Sequence, residues 1–281
     1  MNNRLSIRRN ARLLRLVVLC LSLLLVTSFR PDNGAEKSSV PGIRFVNNEA
    51  FGLGERLDYS IGYKFITAGT ASFTVMPQAV IRNDKKCFDA RFEARSLKSL
   101  DWLYRVHDQY RTVMDIDGVF PHEFEQHIRE GGYRRDFTAK FDQVNNFAIT
   151  SDKKHPIPPF CHDIVSAFYY VRTLDLKAKK KGDIIQLHNF FGDTTYSLGI
   201  KILGRQTVEV EAGKFRCVVI EPMVVEGGLF KSDGRILIWL SDDERKIPVK
   251  VSTKVVIGSI DAELTGYQGL RGALASKILD E

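Results

Sequence analysis

The sequence lacks the features on which several common functional classes depend. It has four cysteines in 281 residues, and no two are spaced as Cys-x-x-Cys. Neither thiol redox chemistry nor a cysteine zinc site is therefore indicated. It also contains no Gly-x-Ser-x-Gly elbow, phosphate-binding loop or dinucleotide glycine pattern. We expect a protein that is not an enzyme, with no catalytic residues, no metal and no cofactor.

The sequence also lacks an excess of charge outside its first residues. The formal net charge is +7, but residues 1–28 hold five arginines and no acidic residue. The remainder has 36 basic and 34 acidic residues, which is too balanced for a protein that binds phosphate backbones by charge. We therefore expect no nucleic-acid partner.

Residues 1–28 have the organisation of an export signal. An arginine-rich segment precedes the apolar run 16–26, whose eleven residues are fewer than the about 20 of a membrane-spanning helix. Val26 and Ser28 provide small residues for cleavage after Ser28, so we predict a signal peptide and a periplasmic protein. The alternative is an uncleaved leader that anchors the protein in the inner membrane, which is the only membrane contact that we expect.

The rest of the chain divides by composition into a linker, one domain and a tail. Polar and turn-forming residues predict a flexible linker at 29–48, alternating residues a single β-rich domain at 49–270, and the end of the chain a C-terminal tail at 271–281. The domain keeps three cysteines, Cys87, Cys161 and Cys217. This odd number allows at most one internal disulfide.

From residue 51 onward, apolar and polar residues alternate with a period of two. Leu57, Tyr59 and Ile61 alternate with polar residues or glycine, and the pattern recurs in ten to twelve segments. One hairpin is nearly explicit, where Val210 leads through a short turn to Phe215. We predict a mostly β protein built on a large antiparallel sheet that is curled or barrel-like.

A single main helix is predicted, at about 162–176. Ile164, Phe168 and Val171 share one face of this segment, Asp163 stands at its start, and three prolines precede it. One helix cannot cover the apolar faces of so many strands, so the sheet must curl around an interior wider than side chains readily fill. We expect an apolar cavity beside the helix, with the helix as its plug or as a movable lid.

Strand parity places four polar residues on the apolar side of three successive strands. These residues are Asp108, His122, Gln126 and Arg135. Buried charges must pair or contact water or a ligand. The sequence allows a structural ion pair between Asp108 and Arg135, or a site for the polar end of a ligand. With Phe168 and Tyr169 of the helix, the four residues are our candidate ligand-binding set.

Two histidine patterns resemble catalytic or metal-binding motifs but do not fit them. His122 and His127 are five residues apart, which in a strand directs the two rings to opposite faces. His162 and Ser166 are one helical turn apart without a group to orient them, which is typical of the start of a helix rather than of a nucleophile and its base.

Several segments together resemble a known family over about residues 50–268. They are Gly54-Glu55-Arg56-Leu57-Asp58-Tyr59, His162-Asp163-Ile164-Val165-Ser166-Ala167-Phe168-Tyr169-Tyr170-Val171-Arg172, Val210-Glu211-Ala212-Gly213-Lys214-Phe215 and Ile238-Trp239-Leu240-Ser241-Asp242-Asp243. This combination resembles the bacterial exported family called domain of unknown function 3108. The usual Asp-Pro-Leu-Ser of its helix start is replaced here at residues 163–166. The resemblance implies an envelope protein with a curved sheet similar to those of periplasmic lipoprotein carriers, and it transfers no catalytic residue.

Three functional hypotheses follow from these observations. The first is a non-enzymatic envelope protein that binds an apolar ligand, such as a lipid or acyl chain, inside a curled sheet. The second is a structural or assembly factor that binds another envelope protein and has a filled core. The third is a hydrolase of envelope polymers. An accessible cavity would favour the first hypothesis over the second.

Overall fold

The structure is a computed structural model that describes residues 44–63, 66–151, 153–224, 235–254 and 258–279. The predicted leader at 1–28 and most of the predicted linker lie outside these residues. The described residues form the strands β1 (Arg56–Tyr63), β2 (Ile66–Val75), β3 (Val80–Arg82), β4 (Lys85–Ser96), β5 (His107–Asp115), β6 (Pro121–Glu130), β7 (Tyr133–Asp142), β8 (Phe147–Thr150), β9 (Lys153–Pro156), β10 (Ile184–Phe191), β11 (Thr194–Val210), β12 (Gly213–Val224), β13 (Ile236–Ser241), β14 (Pro248–Lys254), β15 (Ser259–Gln268) and β16 (Lys277–Ile278). They also form the helix α1 (Ile164–Thr173) and a 3-10 turn at Lys98–Leu100. No helix in these ranges is both long enough and apolar enough to cross a membrane.

All sixteen strands belong to one antiparallel sheet. Fourteen of them follow the order β10-β11-β12-β13-β14-β15-β1-β2-β4-β5-β6-β7-β8-β9, while β3 pairs with β4 and β16 pairs with β12. The predicted hairpin is present, because Val210 pairs with Gly213 across a two-residue turn between β11 and β12. The large antiparallel sheet predicted from the alternating pattern is therefore confirmed, and it is not closed into a barrel.

The sheet curls until its two edges meet through side chains. Phe190 of β10 packs against Phe141 of β7 and His155 of β9, with ring centroids 6.0 and 5.5 Å apart. The guanidinium carbon of Arg135 lies 4.6 Å from the centroid of Phe191. Within the described ranges, no backbone ladder joins β9 to β10.

The segment before α1 covers part of the edge of β10. The His162 N–H donates to the His188 carbonyl at 2.8 Å, and the Phe190 N–H donates to the His162 carbonyl at 2.7 Å. These bonds use the backbone groups that another strand would need. An edge covered in this way is protected from further strand pairing.

The helix is shorter than the predicted 162–176. Asp163 caps its start, because its carboxylate accepts the N–H groups of Val165 and Ser166 at 2.8 and 2.9 Å. The helix ends at Thr173 because Leu174 is extended. The chain then buries Leu176 in the core, a position that it reaches after leaving the helix.

Buried polar contacts hold both ends of α1. The guanidinium of Arg172 donates to both carboxylate oxygens of Glu55 at 2.6 and 2.8 Å, and both side chains are fully buried. At the other end, the Thr112 hydroxyl donates to the Asp163 carboxylate at 2.7 Å. Of the two predicted roles for the helix, these contacts favour the plug over the movable lid.

The folded part extends beyond the predicted 49–270 domain at both ends. Residues 44–48, assigned to the linker, lie against the domain: the Val46 N–H donates to the Asp117 carbonyl at 2.7 Å. Residues 271–279, assigned to the tail, include β16 and the fully buried Ser276, whose hydroxyl donates to Asp243 at 2.6 Å. Polar composition suggested a tether and a tail, but specific hydrogen bonds dock both segments.

The three cysteines Cys87, Cys161 and Cys217 are buried and free. Burial raises the pKa of the Cys87 and Cys217 thiols to about 12. A thiol with such a pKa stays protonated and is a poor nucleophile. The described cysteines therefore serve as small apolar core residues.

Candidate functional site

An apolar cavity of about 280 Å³ lies between α1 and the inner face of the sheet. Its walls come from strands across the sheet, β1, β2, β4, β5, β6 and β10 to β15. The side chains with polar atoms in its described lining belong to Tyr59, Tyr110, Gln126 and Thr253, and none of the described lining residues is charged. The cavity expected beside the helix is therefore present.

One face of α1 forms the floor of the cavity. It contributes Ile164, Val165, Ala167, Phe168 and Val171, at the spacing of one helical face. The Phe168 ring stacks on Phe73 of β2, with centroids 4.6 Å apart and an interplanar angle of 21°. The prediction of Phe168 as a residue beside the cavity agrees with this position.

The cavity lies toward one end of the sheet. Its lining includes Phe191, the last residue of β10, and Ile236, the first residue of β13. Toward the other end of the strands the interior is filled by buried side chains, such as Phe51 and Phe215. We call the end that carries the β6–β7 turn and the loop from β4 to β5 the open end.

One buried side-chain amide faces the cavity and has an oxygen without a hydrogen-bond partner. Gln126 of β6 is 3% exposed, lines the cavity, and its Oε1 has no hydrogen-bond partner among the described residues. Tyr110 lies directly opposite in the β5–β6 register and also lines the cavity. Because a buried polar atom normally has a partner, this pair marks the place in the apolar lining where a ligand can be held by a polar contact.

Two buried carboxyl groups lie near this pair. Asp108 accepts a hydrogen bond from the Arg129 N–H at 2.9 Å and shares a hydrogen bond with the carboxyl group of Glu130. Burial raises the pKa of Asp108, because its charged form loses hydration. Burial also raises the pKa of the Tyr110 phenol, and the negative charges of Asp108 and Glu130 raise it further.

The predicted ion pair between Asp108 and Arg135 is wrong. Both residues lie on the inner side as parity predicted, but Ile128 of the intervening strand β6 stands between them. Two strand spacings separate the pair by roughly 10 Å. Arg135 instead lies over the rings of Phe137 and Phe191, a cation–π arrangement.

Two other candidate residues lie away from the cavity lining. His122 is buried at the opposite end of β6, where its Nε2 is 3.5 Å from Asp115; the four residues from His122 to Gln126 span about 13 Å of strand. Tyr169 is in the core, with its ring centroid 4.6 Å from that of Phe51. Strand parity correctly placed His122 on the inner face of β6. Parity does not predict how far along the strand a residue lies from the cavity.

The histidine patterns do not form catalytic or metal sites in the described structure. Ser166 Oγ lies 3.2 Å from His162 Nδ1, yet both residues are buried and Ser166 belongs to the cap of α1. Burial lowers the pKa of His162 well below its usual value. His127 faces outward and contacts Asp136, and no group of three metal-ligating residues occurs in the described ranges.

Sequence reasoning missed two features, one beside the cavity and one that holds α1 in place. Glu130 continues the inner face of β6 two residues beyond Ile128, so the same parity argument extended by one step would have found it. The ion pair of Glu55 with Arg172 joins positions 117 residues apart. Its only sequence signal was that both residues lie in segments that carry the family resemblance.

The fold and the cavity define a class of protein: a curled, unclosed antiparallel sheet that surrounds an apolar cavity floored by one helix. The family model described as protein of unknown function (DUF3108) matches residues 58–265. The chain belongs to this family, which confirms the resemblance found in its segments.

Solved structures of similar outline come from several bacteria. A β-barrel-like protein of domain of unknown function DUF1849 from Brucella abortus is 12% identical, with a TM-score of 0.48 and coverage of 80% of this chain and 98% of that one. A candidate lipoprotein from Parabacteroides distasonis is 10% identical, with a TM-score of 0.36 and coverage of 80% and 99%. A candidate exported protein with a YmcC-like fold from Bacteroides fragilis is 11% identical, with a TM-score of 0.30 and coverage of 80% and 99%. No curated protein matches the chain.

Proposed function

We propose that this protein is an exported envelope protein that binds an apolar ligand, such as a lipid or acyl chain, without catalysing a reaction. The observation that carries the proposal is the cavity of about 280 Å³ with no charged residue in its described lining. This volume is close to the lower end of the roughly 300–1,000 Å³ of small-molecule sites. An apolar chain in such a cavity gains about 0.8 kcal/mol for each methylene group removed from water.

The ligand of this proposal has a polar end that contacts Gln126. The unpartnered Oε1 of Gln126 accepts hydrogen bonds, so a hydroxyl group or an amide N–H of the ligand would satisfy it. The carboxyl groups of Asp108 and Glu130 disfavour a second anion at this place, because each acts on the Tyr110 phenol more strongly than the opposing guanidinium of Arg135. A long-chain alcohol therefore fits the site better than the corresponding carboxylate.

Export is supported by the leader at 1–28, and we propose the periplasm as the destination. N-terminal sequencing of the exported protein tests this part: a chain that begins at Phe29 supports cleavage after Ser28. Retention of Met1 in a membrane fraction that resists alkaline extraction would favour the inner-membrane anchor instead.

A fluorescent chain such as parinaric acid, together with its alcohol, tests ligand binding by the delipidated protein. We expect saturable binding that is tighter for the alcohol. Ala262→Phe should weaken binding of both probes at least tenfold, because Ala262 lines the cavity and a phenyl group would occupy part of it. Thr70→Phe is the matched control, since Thr70 is exposed, and it should leave binding unchanged.

A variant of Gln126 tests the ligand preference separately from binding itself. Gln126→Leu should remove the preference for the alcohol while the protein still binds the apolar chain. If the folded, delipidated protein binds neither probe, and mass spectrometry of extracts from the periplasmic protein finds no lipid, the apolar-ligand proposal is wrong. The assembly-factor hypothesis would then be preferred.

A further inference from the structure

Three segments of the open end form one continuous surface. We call this surface the rim and define it as residues 66–68, 97–106 and 131–134. The Leu97 N–H donates to the Ala68 carbonyl at 2.9 Å, and the Gly131 N–H donates to the Arg105 carbonyl at 2.8 Å. The loop 97–106 is thus joined on one side to the start of β2 and on the other side to the β6–β7 turn.

The rim exposes large apolar side chains. Trp102 is 80% exposed, Ile66 is 64% exposed and Tyr133 is 46% exposed, one from each of the three segments. Tryptophan and tyrosine have apolar rings with one polar atom, and they are enriched where hydrocarbon meets water at a membrane surface. Two such side chains and an exposed isoleucine, at the end of the sheet that holds an apolar cavity, are typical of a surface that contacts lipid.

The rim also carries positive charge. Lys98, Arg105 and Arg134 are exposed, and none of them forms an ion pair with another described residue. The acidic Asp101 is held by a hydrogen bond from the Ser96 hydroxyl at 2.5 Å. Basic side chains near a membrane are attracted to anionic lipids by about 1 kcal/mol each.

The cavity lies inside the rim. Ile128, which lines the cavity, is two residues from the end of β6, where the β6–β7 turn of the rim begins. A surface that docks on lipid at this end would place the apolar lining beside a source of apolar ligands. The opposite end offers no such route, because the buried Phe51 and Phe215 fill it.

From these observations we propose that the rim docks on the surface of a bilayer that contains anionic phospholipid, with Trp102 and Tyr133 at the level of the headgroups. The basic side chains Lys98, Arg105 and Arg134 face the lipid phosphates. This inference extends the proposed function, because docking brings the cavity to the lipid. Vesicle docking is nevertheless measured without a ligand in the cavity, so the two proposals can fail separately.

The two tryptophans of the chain allow a direct measurement. Trp239 is half-buried and donates a hydrogen bond from Nε1 to Gln206 at 2.8 Å, whereas Trp102 is exposed. In the Trp239→Phe protein, the fluorescence therefore reports on Trp102 alone. Vesicles of phosphatidylglycerol and phosphatidylethanolamine in equal parts should shift this emission to the blue, and vesicles of phosphatidylcholine alone should shift it much less.

Vesicle flotation with rim variants tests the residues. Trp102→Ala should weaken binding about tenfold, and the triple change Lys98→Gln, Arg105→Gln and Arg134→Gln should weaken it about 100-fold, from about 1 kcal/mol for each basic residue. Higher salt should weaken binding of the unchanged protein. Val144→Ala is the matched control: Val144 is 74% exposed in the β7–β8 turn at the opposite end of the sheet, and its loss should have no effect.

Three results would overturn the proposal. One is Trp102 emission that does not change with anionic vesicles. Another is that the triple variant binds vesicles as tightly as the unchanged protein, or that Val144→Ala loses as much binding as Trp102→Ala. The third is Trp102-dependent association of two copies of this chain without vesicle binding, which would assign the rim to a self-interface.

Discussion

At the residue scale, the ion pair of Arg172 with Glu55 has the largest predicted effect on stability. Both side chains are fully buried, and Arg172 also donates to the carbonyls of Ala50 and Arg245. We expect Arg172→Met to lower the free energy of unfolding by about 3–5 kcal/mol, because it leaves the Glu55 carboxylate buried without a partner. Urea denaturation measures this change.

A double variant and a surface pair provide the controls for this prediction. Arg172→Met combined with Glu55→Leu should cost less than Arg172→Met alone, since no unpaired charge remains. Arg56 and Asp58 are also paired at 2.6 Å, but each is 41% exposed, so Arg56→Ala should cost less than about 1 kcal/mol. Equal costs for Arg56→Ala and Arg172→Met would contradict the role given to burial.

At the scale of the element, the start of α1 contains a titrating cap. Burial raises the pKa of Asp163 from 3.8 to about 6, although the N–H groups of Val165 and Ser166 and the Thr112 hydroxyl act in the opposite direction. The folded state therefore holds this proton more tightly than the unfolded state. The resulting stabilisation is complete below about pH 3.8 and is lost as the pH rises through about 6.

We expect Asp163→Asn to remove this pH dependence while it preserves the cap, because asparagine caps helices as well as aspartate does. The measured quantity is the difference in the free energy of unfolding between the natural protein and the variant. This difference should decrease by about 3 kcal/mol from pH 4 to pH 7. Urea denaturation of both proteins at several pH values measures the difference, in which the titration of other groups cancels. A difference that stays constant with pH would contradict the prediction.

In the whole molecule, the sheet joins the first strand of the described residues to one of the last. Strand β1 lies between β2 and β15, so that Leu57 pairs with Tyr267. The Tyr59 hydroxyl also donates to the Pro248 carbonyl at 2.7 Å. The segment 153–161, which links the two halves of the described chain, therefore does not separate independent units.

We expect that fragments 44–157 and 158–279 do not fold separately. The first fragment would lack Val165, Tyr169 and Phe190, which complete its core, and Glu55 would lose Arg172. Far-UV circular dichroism during urea titration should show no cooperative transition for either fragment alone. A cooperative transition of one isolated fragment would contradict this expectation.

Properties that depend on neighbouring residues could be predicted from the amino-acid sequence. Alternation with a period of two predicted the strands, their inner faces and thus the burial of Asp108, His122 and Gln126. The turn after Val210 predicted a hairpin, and the helix predicted at about 162–176 is present at 164–173 with Asp163 as its cap. Each of these signals is local, because backbone geometry directs side chains according to their position along the chain.

Contacts between residues distant in the sequence could not be predicted in this way and were found in the folded structure. Parity placed Asp108 and Arg135 on one face, but the order of strands put Ile128 between them. The pairing of β1 with β15 and of Glu55 with Arg172 has no local signal. Strand order, register and burial arise from packing across the whole sheet, and for this reason they determine which of the predicted residues line the cavity.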